Sequence, residues 1–433
     1  MFEGQSEADT AFLYELARNS KTSELVAYLR RGSSPAVRRR AAEALGDLSD
    51  DPNQDTTEEL VRALVETACE DDDDGVRARA IDALYRHGEE ALERLVREMS
   101  ASDAEERPDR ATSKLLREWI EADHPEFRMV AATALGQHRD KQSLSALVRA
   151  TTDPDPRVRM RAVQSCGLLG HERCVKPLRD RLDDPRHIVR EEAVRALGAI
   201  GSEAALEALI PVARDDEESI RRAAVEELGQ FGSIDPVLVL VRALADDTDS
   251  VQRAALLSLV QLFVDAPEAR SQYVRDTVAE QLSSADTRAV VPHAIDMLTE
   301  SQRAVVRHNA AWLLGYVADP EADDDQREAV YDCLIDALGA TDDRTAKIAA
   351  ASLAQLGSDE LERRLQILVK DEDVPTDVTE RAETVLEEIG GTLAGEVVTN
   401  AVDYTYVVDP ADYTRQHQAS DQTVDSDDAG SES

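Results

Sequence analysis

The sequence predicts an all-α fold, an α-solenoid (superhelix) of about ten helix–turn–helix repeats. Three observations carry that expectation. The segment Val158-Arg159-Met160-Arg161-Ala162-Val163 returns as Val189-Arg190-Glu191-Glu192-Ala193-Val194 and again as Ile220-Arg221-Arg222-Ala223-Ala224-Val225. From Phe127 to Val251 the spacing is 31 residues four times running, and self-similarity at a fixed period marks stacked repeats. Ten copies align, starting at Val37, Val76, Phe127, Val158, Val189, Ile220, Val251, Val306, Thr345 and Val378; the fifth residue is Ala in all ten and the ninth is Leu in nine, Cys166 being the exception.

Each element follows from this register. Positions one, five, nine and twelve lie on one face of a helix, which is the face to be buried. Ala at the fifth position lets a neighbouring helix approach, and Leu at the ninth fills the space between repeats. Gly170, Gly201, Gly232, Gly357 and Gly390 follow the apolar pattern, where a left-handed C-cap is cheapest for glycine. A second helix precedes each signature helix, for example Leu144 to Thr151 and Val175 to Leu182, and Asp/Pro turns such as Asp153-Pro154-Asp155-Pro156 and Asp183-Asp184-Pro185 separate the two. The pattern D-x-x-x-x-[VI]-R-x-x-A-[VA]-x-x-L-G runs over Asp153–Gly167 (with Cys166 in the Leu place), Asp184–Gly198 and Asp215–Gly229. These residues resemble HEAT repeats of the short, phycobilisome-lyase-like type, over roughly residues 12–390. The resemblance implies an α-solenoid that binds other proteins, and it says little about chemistry.

Two stretches break the period. The gap from Val76 to Phe127 is 51 residues, and residues 99–113 read as a polar insertion. The gap from Val251 to Val306 is 55 residues; an insertion is expected near 262–303, with helices over Gln272–Leu282 and Arg288–Leu298. The solenoid is expected to occupy residues 1–390. Residues 391–433 carry nine acids and one base and form an acidic C-terminal tail, with 419–433 expected to be disordered. Within it Val402-Asp403-Tyr404-Thr405-Tyr406-Val407-Val408 alternates like a strand, which suits a cap on the last repeat or a docking peptide.

Of 433 residues, 42% are hydrophobic and 32% charged, enough to bury a core. Lys+Arg number 49 against 89 Asp+Glu, a net charge of −40. That surplus disfavours a nucleic-acid-binding face and adsorption to anionic membranes. Six of the 49 bases are Lys and 43 are Arg. Acidic excess with few lysines resembles the proteome style of salt-in halophilic archaea, where a Debye length of about 3 Å at molar salt screens self-repulsion. No apolar run is long enough to cross a membrane and no leader opens the chain, so a monomeric cytoplasmic protein is expected. Four scattered cysteines (Cys69, Cys166, Cys174, Cys333) form no disulfide framework.

The motifs of catalysis are missing: there is no G-x-S-x-G, Walker loop, G-x-G-x-x-G or H-E-x-x-H. HEAT-type di-iron hydroxylases carry repeated His-Glu pairs, and this chain has one, His171-Glu172. Cys166, His171 and Cys174, with His138 one repeat back, fit no common zinc spacing, and Cys166 sits in a core position. No cofactor, no metal and no enzymatic activity are therefore expected.

Charge periodicity is the remaining signal. The second repeat position is Arg in seven of ten copies, and an Asp lies six residues earlier at Asp153, Asp184, Asp215 and Asp246. An architectural ladder accounts for this if Asp accepts from turn amides and Arg bridges to the neighbouring repeat. The signature helices are Arg-rich beyond the ladder, and in HEAT-like solenoids they line the concave face. Arg128, Arg157, Arg159, Arg161, Arg190, Arg221, Arg222 and Arg307 are thus the candidate protein-binding residues, and an acidic protein partner is the expected ligand. Phe12–Arg18 and Ser23–Val26 ahead of the repeats also resemble the haloarchaeal HEAT-type taxis proteins, thought to link chemotaxis signalling to the motility motor. A non-catalytic scaffold or adaptor is the leading expectation; a phycobilin-lyase-like enzyme and a DNA-binding HEAT-like solenoid are the alternatives.

Overall fold

The structure, a computed structural model, describes residues 12–48, 54–101, 108–265, 268–283, 285, 287–318 and 324–393. The strand-like segment at 402–408 and the rest of the acidic tail beyond 393 lie outside the described residues. All regular elements among the described residues are helical, and the chain is an all-α solenoid fold in two compact units, Met1–Ile200 and Gly201–Ser433.

The first unit holds α1 (residues 12–18), α2 (Thr22–Arg31), α3 (Pro35–Gly46), α4 (Gln54–Glu70), α5 (Asp74–Arg86), α6 (Glu89–Ala101), α7 (Pro108–Trp119), α8 (Pro125–Gln137), α9 (Leu144–Ala150), α10 (Pro156–Leu169), α11 (Val175–Arg179) and α12 (His187–Ile200). The second holds α13 (Glu203–Leu209), α14 (Glu218–Leu228), α15 (Val237–Ala243), α16 (Asp249–Asp265), α17 (Glu268–Leu282), α18 (Val291–Glu300), α19 (Ala304–Val317), α20 (Asp324–Ala337), α21 (Asp343–Leu356), α22 (Asp359–Val369) and α23 (Thr376–Leu393). The ten repeat starts fall on α3, α5, α8, α10, α12, α14, α16, α19, α21 and α23, the signature helices. Both period breaks contain helices: α6 and α7 stand between α5 and α8, and α17 and α18 between α16 and α19.

The register decides burial. All ten fifth-position alanines, Ala41 to Ala382, are 0% exposed, and so is Cys166 in its Leu place. Helix starts are written into the turns: the side chains of Ser34, Asp73, Asp155 and Asp342 accept from amides of the first helical turn. Gly170, Gly201 and Gly232 take left-handed φ values of 60°, 64° and 59°. Two expected caps differ. Gly390 lies inside α23, which runs on to Leu393, and Gly357 has φ 4° because Ser358 immediately caps the next helix.

A close contact recurs between successive signature helices. The tenth-position glycine of one lies against the eighth residue of the next. A Cβ on Gly136 would sit 2.5 Å from Ser165 Cβ, one on Gly229 would sit 2.6 Å from Ser258 Cβ, and one on Gly167 would sit 2.9 Å from Ala196 Cβ. The serine also stitches the pair: Ser165, Ser258 and Ser352 hydroxyls donate to the carbonyls of Ala132, Val225 and Ala311 at 2.7, 2.8 and 2.8 Å. Gly136→Ala is expected to force α8 and α10 apart and to cost about 1–3 kcal/mol, the usual penalty of overpacking. Urea unfolding of the variant in molar KCl measures this; an unchanged midpoint would show the helices free to slide.

In the first unit the signature helices α8, α10 and α12 pack closely in series, while their outer partners α9 and α11 barely touch. Helices closer on one side than the other make that side concave, so over the stretch α8 to α12 the signature helices lie on the concave side, whereas the outer helices α2, α4 and α6 of the earlier repeats stay in contact.

Candidate functional site

The arginine at repeat position two works in two directions. Its Nη1 reaches back to carbonyls of its own turn, and its Nε and Nη2 grip an Asp of the next turn. Arg128 donates to Asp153 at 2.7 and 2.9 Å, Arg159 to Asp184 at 2.8 and 2.9 Å, and Arg221 to Asp246 at 2.9 and 3.0 Å. The Asp carbonyl then accepts from the following arginine, so the rungs join: Arg159 Nη1 donates to the Asp153 carbonyl and Arg190 Nη1 to the Asp184 carbonyl, both at 2.9 Å. The same carboxylates accept the amide two residues on, as at Asp153–Asp155 and Asp184–Arg186. This is the ladder that the Asp/Arg spacing predicts.

Its electrostatics are those of paired groups in poor solvent contact. The Asp184 side chain is 0% exposed and that of Arg159 10%. Burial pushes the Asp184 carboxyl up, but the Arg159 guanidinium and the Arg186 amide outweigh it and hold the carboxyl below the usual carboxylate range. Asp246 follows the same balance against Arg221 and Thr248.

Two signature arginines make contacts that have no counterpart in the sequence reading. Arg38 grips Asp71 at 2.7 and 2.9 Å. Asp71 lies six residues before Arg77, as the rule requires, but the longer outer helix α4 stretches the interval to 33 residues and hides the pairing. Arg77 faces the first period break. Its Nε donates to the Ala68 carbonyl at 3.1 Å, and its guanidinium lies 5.0 Å from the Trp119 ring and 5.1 Å from Phe127. A cation over aromatic faces stands where the regular rung would be.

Of the eight arginines read as a binding stripe, Arg128, Arg159 and Arg221 are rungs. Arg190 and Arg307 hold turn carbonyls, Arg307 at Ser301 and Gln302. Arg222 pairs with Glu226 at 2.8 Å along α14. Arg157 and Arg161 do something different: they cross the concave face of the first unit. Arg157 Nη1 donates to Asp82 on α5 at 2.8 Å, and its Nη2 meets Glu126 at 3.4 Å and Asp155 at 2.8 Å. Arg161 Nη1 donates to Glu89 at the start of α6 at 2.9 Å, and its Nη2 meets the other Glu89 oxygen. Both contacts reach past α8, the signature helix between α5 and α10. These pairs tie α10 to α5 and to the start of α6, two signature helices back along the chain. Asp82 also meets Arg86 at 2.8 Å and Arg79 at 3.4 Å. The arginines of this face are therefore matched by acids of the same chain.

The remaining candidates are quickly placed. Among the described residues no cluster of three or more His, Cys, Asp or Glu side chains is arranged to hold a metal ion. Cys166 and Cys174 are both buried and unoxidised, and the hydrogen bond between them, with burial, pushes the Cys166 thiol far up. Among the described residues no helix is long and apolar enough to cross a membrane.

Comparison with known proteins agrees with this architecture. The HEAT repeats family matches residues 22–115, 112–197 and 175–260. A HEAT repeat-containing taxis protein of Halobacterium salinarum is 33% identical over 148 residues, which is 34% of this chain and 35% of that protein, so the match spans about a third of the relative's length. Among solved structures, an engineered protein superposes with a TM-score of 0.51 at 20% identity, covering 85% of this chain and 98% of the other, and so shares its fold. The complex of CpcE and CpcF of phycocyanin lyase from Nostoc matches with a TM-score of 0.33 at 19% identity, over 66% of this chain and 98% of that one.

Proposed function

The chain belongs to the HEAT-repeat family, and we propose that it is a non-catalytic scaffold, an adaptor in taxis, that grips an acidic protein partner on the concave face of its first unit. The observation that carries the reading is the convergence of Arg157 and Arg161 on that face, one helical turn apart on α10 and held in place by the rungs on either side. Long-range attraction is weak for a protein of charge −40 in molar salt. Fixed guanidinium geometry is not, because a charge-assisted pair to a carboxylate depends on fit rather than on the distant field. Arg128, Arg159 and Arg221 support the surface rather than meet the partner, since their forks are already closed on Asp153, Asp184 and Asp246. The taxis assignment draws on the name of the Halobacterium relative.

The test is genetic and biochemical together. Deleting the gene in its native host is expected to reduce directed spreading on soft agar, and wild type is expected to restore it. Arg157→Gln/Arg161→Gln is expected to fail to restore it, with its helical circular-dichroism signal in molar KCl intact. A deletion strain with normal tactic responses removes the taxis reading. A folded variant that complements fully removes the arginine face.

A further inference from the structure

We propose that Asp82 and Glu89 occupy, from within the chain, the places that a partner's carboxylates take on Arg157 and Arg161, so that the first unit holds itself in a self-occupied state. This rests on the reading of those two arginines as the partner contact. Three features of the structure point to it.

The first is reach. The ladder rungs join residues 25 or 33 positions apart, in the neighbouring turn. Arg157–Asp82 and Arg161–Glu89 join residues 75 and 72 apart and pass over a whole repeat. Removing them leaves every rung and every glycine–serine contact in place, so the stack does not depend on them.

The second is the ease of exchange. Asp82 keeps Arg86 and Arg79 if Arg157 lets go. The Glu89 side chain is 51% exposed whereas that of Arg161 beneath it is 7% exposed. The acid is the outer member of this pair, and it can turn into solvent without leaving an uncompensated buried carboxylate. An incoming carboxylate then covers Arg161, which costs a great deal to leave bare.

The third is spacing. Arg157 and Arg161 stand four residues apart on α10, and such residues lie about 5–6 Å apart on a helix surface. The matching ligand presents two carboxylates at that interval, as Glu residues four apart on a helix do, or alternate residues on one side of a strand. The partner is thus an acidic segment with paired carboxylates, and its binding opens the contact between α5–α6 and α10.

The test uses the full chain in molar KCl and a short fluorescein-labelled poly-glutamate peptide as probe, read by fluorescence anisotropy. Asp82→Asn/Glu89→Gln is expected to bind about tenfold more tightly than wild type, as when the competent state rises from one molecule in ten to nearly all. Glu372→Gln/Asp373→Asn, an equal charge change at exposed residues of the second unit, is expected to leave affinity as in wild type. Glu89→Gln alone, at a half-exposed residue that the fold tolerates, must move affinity in the same direction as the double variant. Adding Arg157→Gln/Arg161→Gln is expected to abolish binding. If wild type binds and neither acid variant binds more tightly than the charge control, self-occupancy is overturned and the arginine contact stands. If no variant binds at all, the arginine contact fails and the inference fails with it.

Discussion

Asp184→Ala is expected to destabilise the first unit by about 3–5 kcal/mol, the cost of leaving a buried guanidinium without its counter-ion. The two side chains are 0% and 10% exposed, so neither salt nor water replaces the lost partner. Exposure decides the size of the effect. Arg30 and Glu66 make a slightly shorter contact, 2.7 Å against 2.8 Å, but at 39% and 47% exposure their loss is worth only about 0–1 kcal/mol. A second variant separates pairing from mere burial: Arg159→Met with Asp184→Ala removes both charges and is expected to recover part of the loss. Trp312→Phe leaves Trp119 as the one tryptophan of the two in the chain, and its fluorescence in a urea titration reports on the first unit alone. A single-variant cost below about 1 kcal/mol, against the larger penalty expected for a broken buried pair, would mean that the rungs do not hold the stack. The pH dependence has a definite sign. The folded Asp184 carboxyl titrates below the unfolded value of about 3.9. Its contribution is full above that value and disappears as pH falls through the folded one, so acid removes the ladder and base does not.

The ladder was legible because it is periodic. An Asp six residues before the second repeat position recurs at Asp153, Asp184, Asp215 and Asp246, with Arg following in the first three and Gln252 in the fourth, and a pattern that recurs every 31 residues can be counted without coordinates. So can the core, since one Ala and one Leu per repeat fix the buried face. The glycine–serine contact was available in the same alignment, because Gly136 and Ser165 occupy the tenth and eighth positions of successive repeats. It went unseen because a close approach between two helices leaves no mark on either helix alone. The concave face lay further out of reach. Counting arginines along α10 shows a basic stripe, but Asp82 and Glu89, which neutralise it, come from two repeats earlier. Only the curvature of the unit brings them together, and curvature is a sum of small angles that no local pattern records. Arg77 makes the same point at a break in the period: Ala122 stands where the Asp of the next turn would be, Arg77 keeps Asp74 of its own helix, and Trp119 and Phe127 take over through contacts that spacing does not foretell.

The second unit is expected to lose about 2 kcal/mol of stability between pH 7 and pH 5, and about 3 kcal/mol by pH 4, through one residue, His308. The His308 ring is 1% exposed in the middle of α19, and neither ring nitrogen has a hydrogen-bond partner. Burial, with Arg344, Arg275 and Arg307 around it, drives its pKa down to about 3. In the unfolded chain the same ring titrates near 6.5. Between those values the unfolded state binds a proton that the folded state refuses, so stability falls as pH falls, at about 1.4 kcal/mol per unit, and levels off below about pH 3. His308→Leu removes the titration and two unsatisfied nitrogens at nearly constant volume, and is expected to be at least as stable as wild type at pH 7. Its stability then stays flat between pH 7 and 5 where that of wild type declines. Trp119→Phe isolates Trp312, one helical turn from His308 on α19, as the reporter of this unit. Carboxylates titrate in both proteins, so the difference between the two pH curves belongs to His308 alone. Parallel curves would place a proton-accepting or charge-balancing group against this ring. Diverging curves make the second unit acid-labile for a reason opposite to that of the first, where a carboxylate loses its charge instead of an imidazole being denied one.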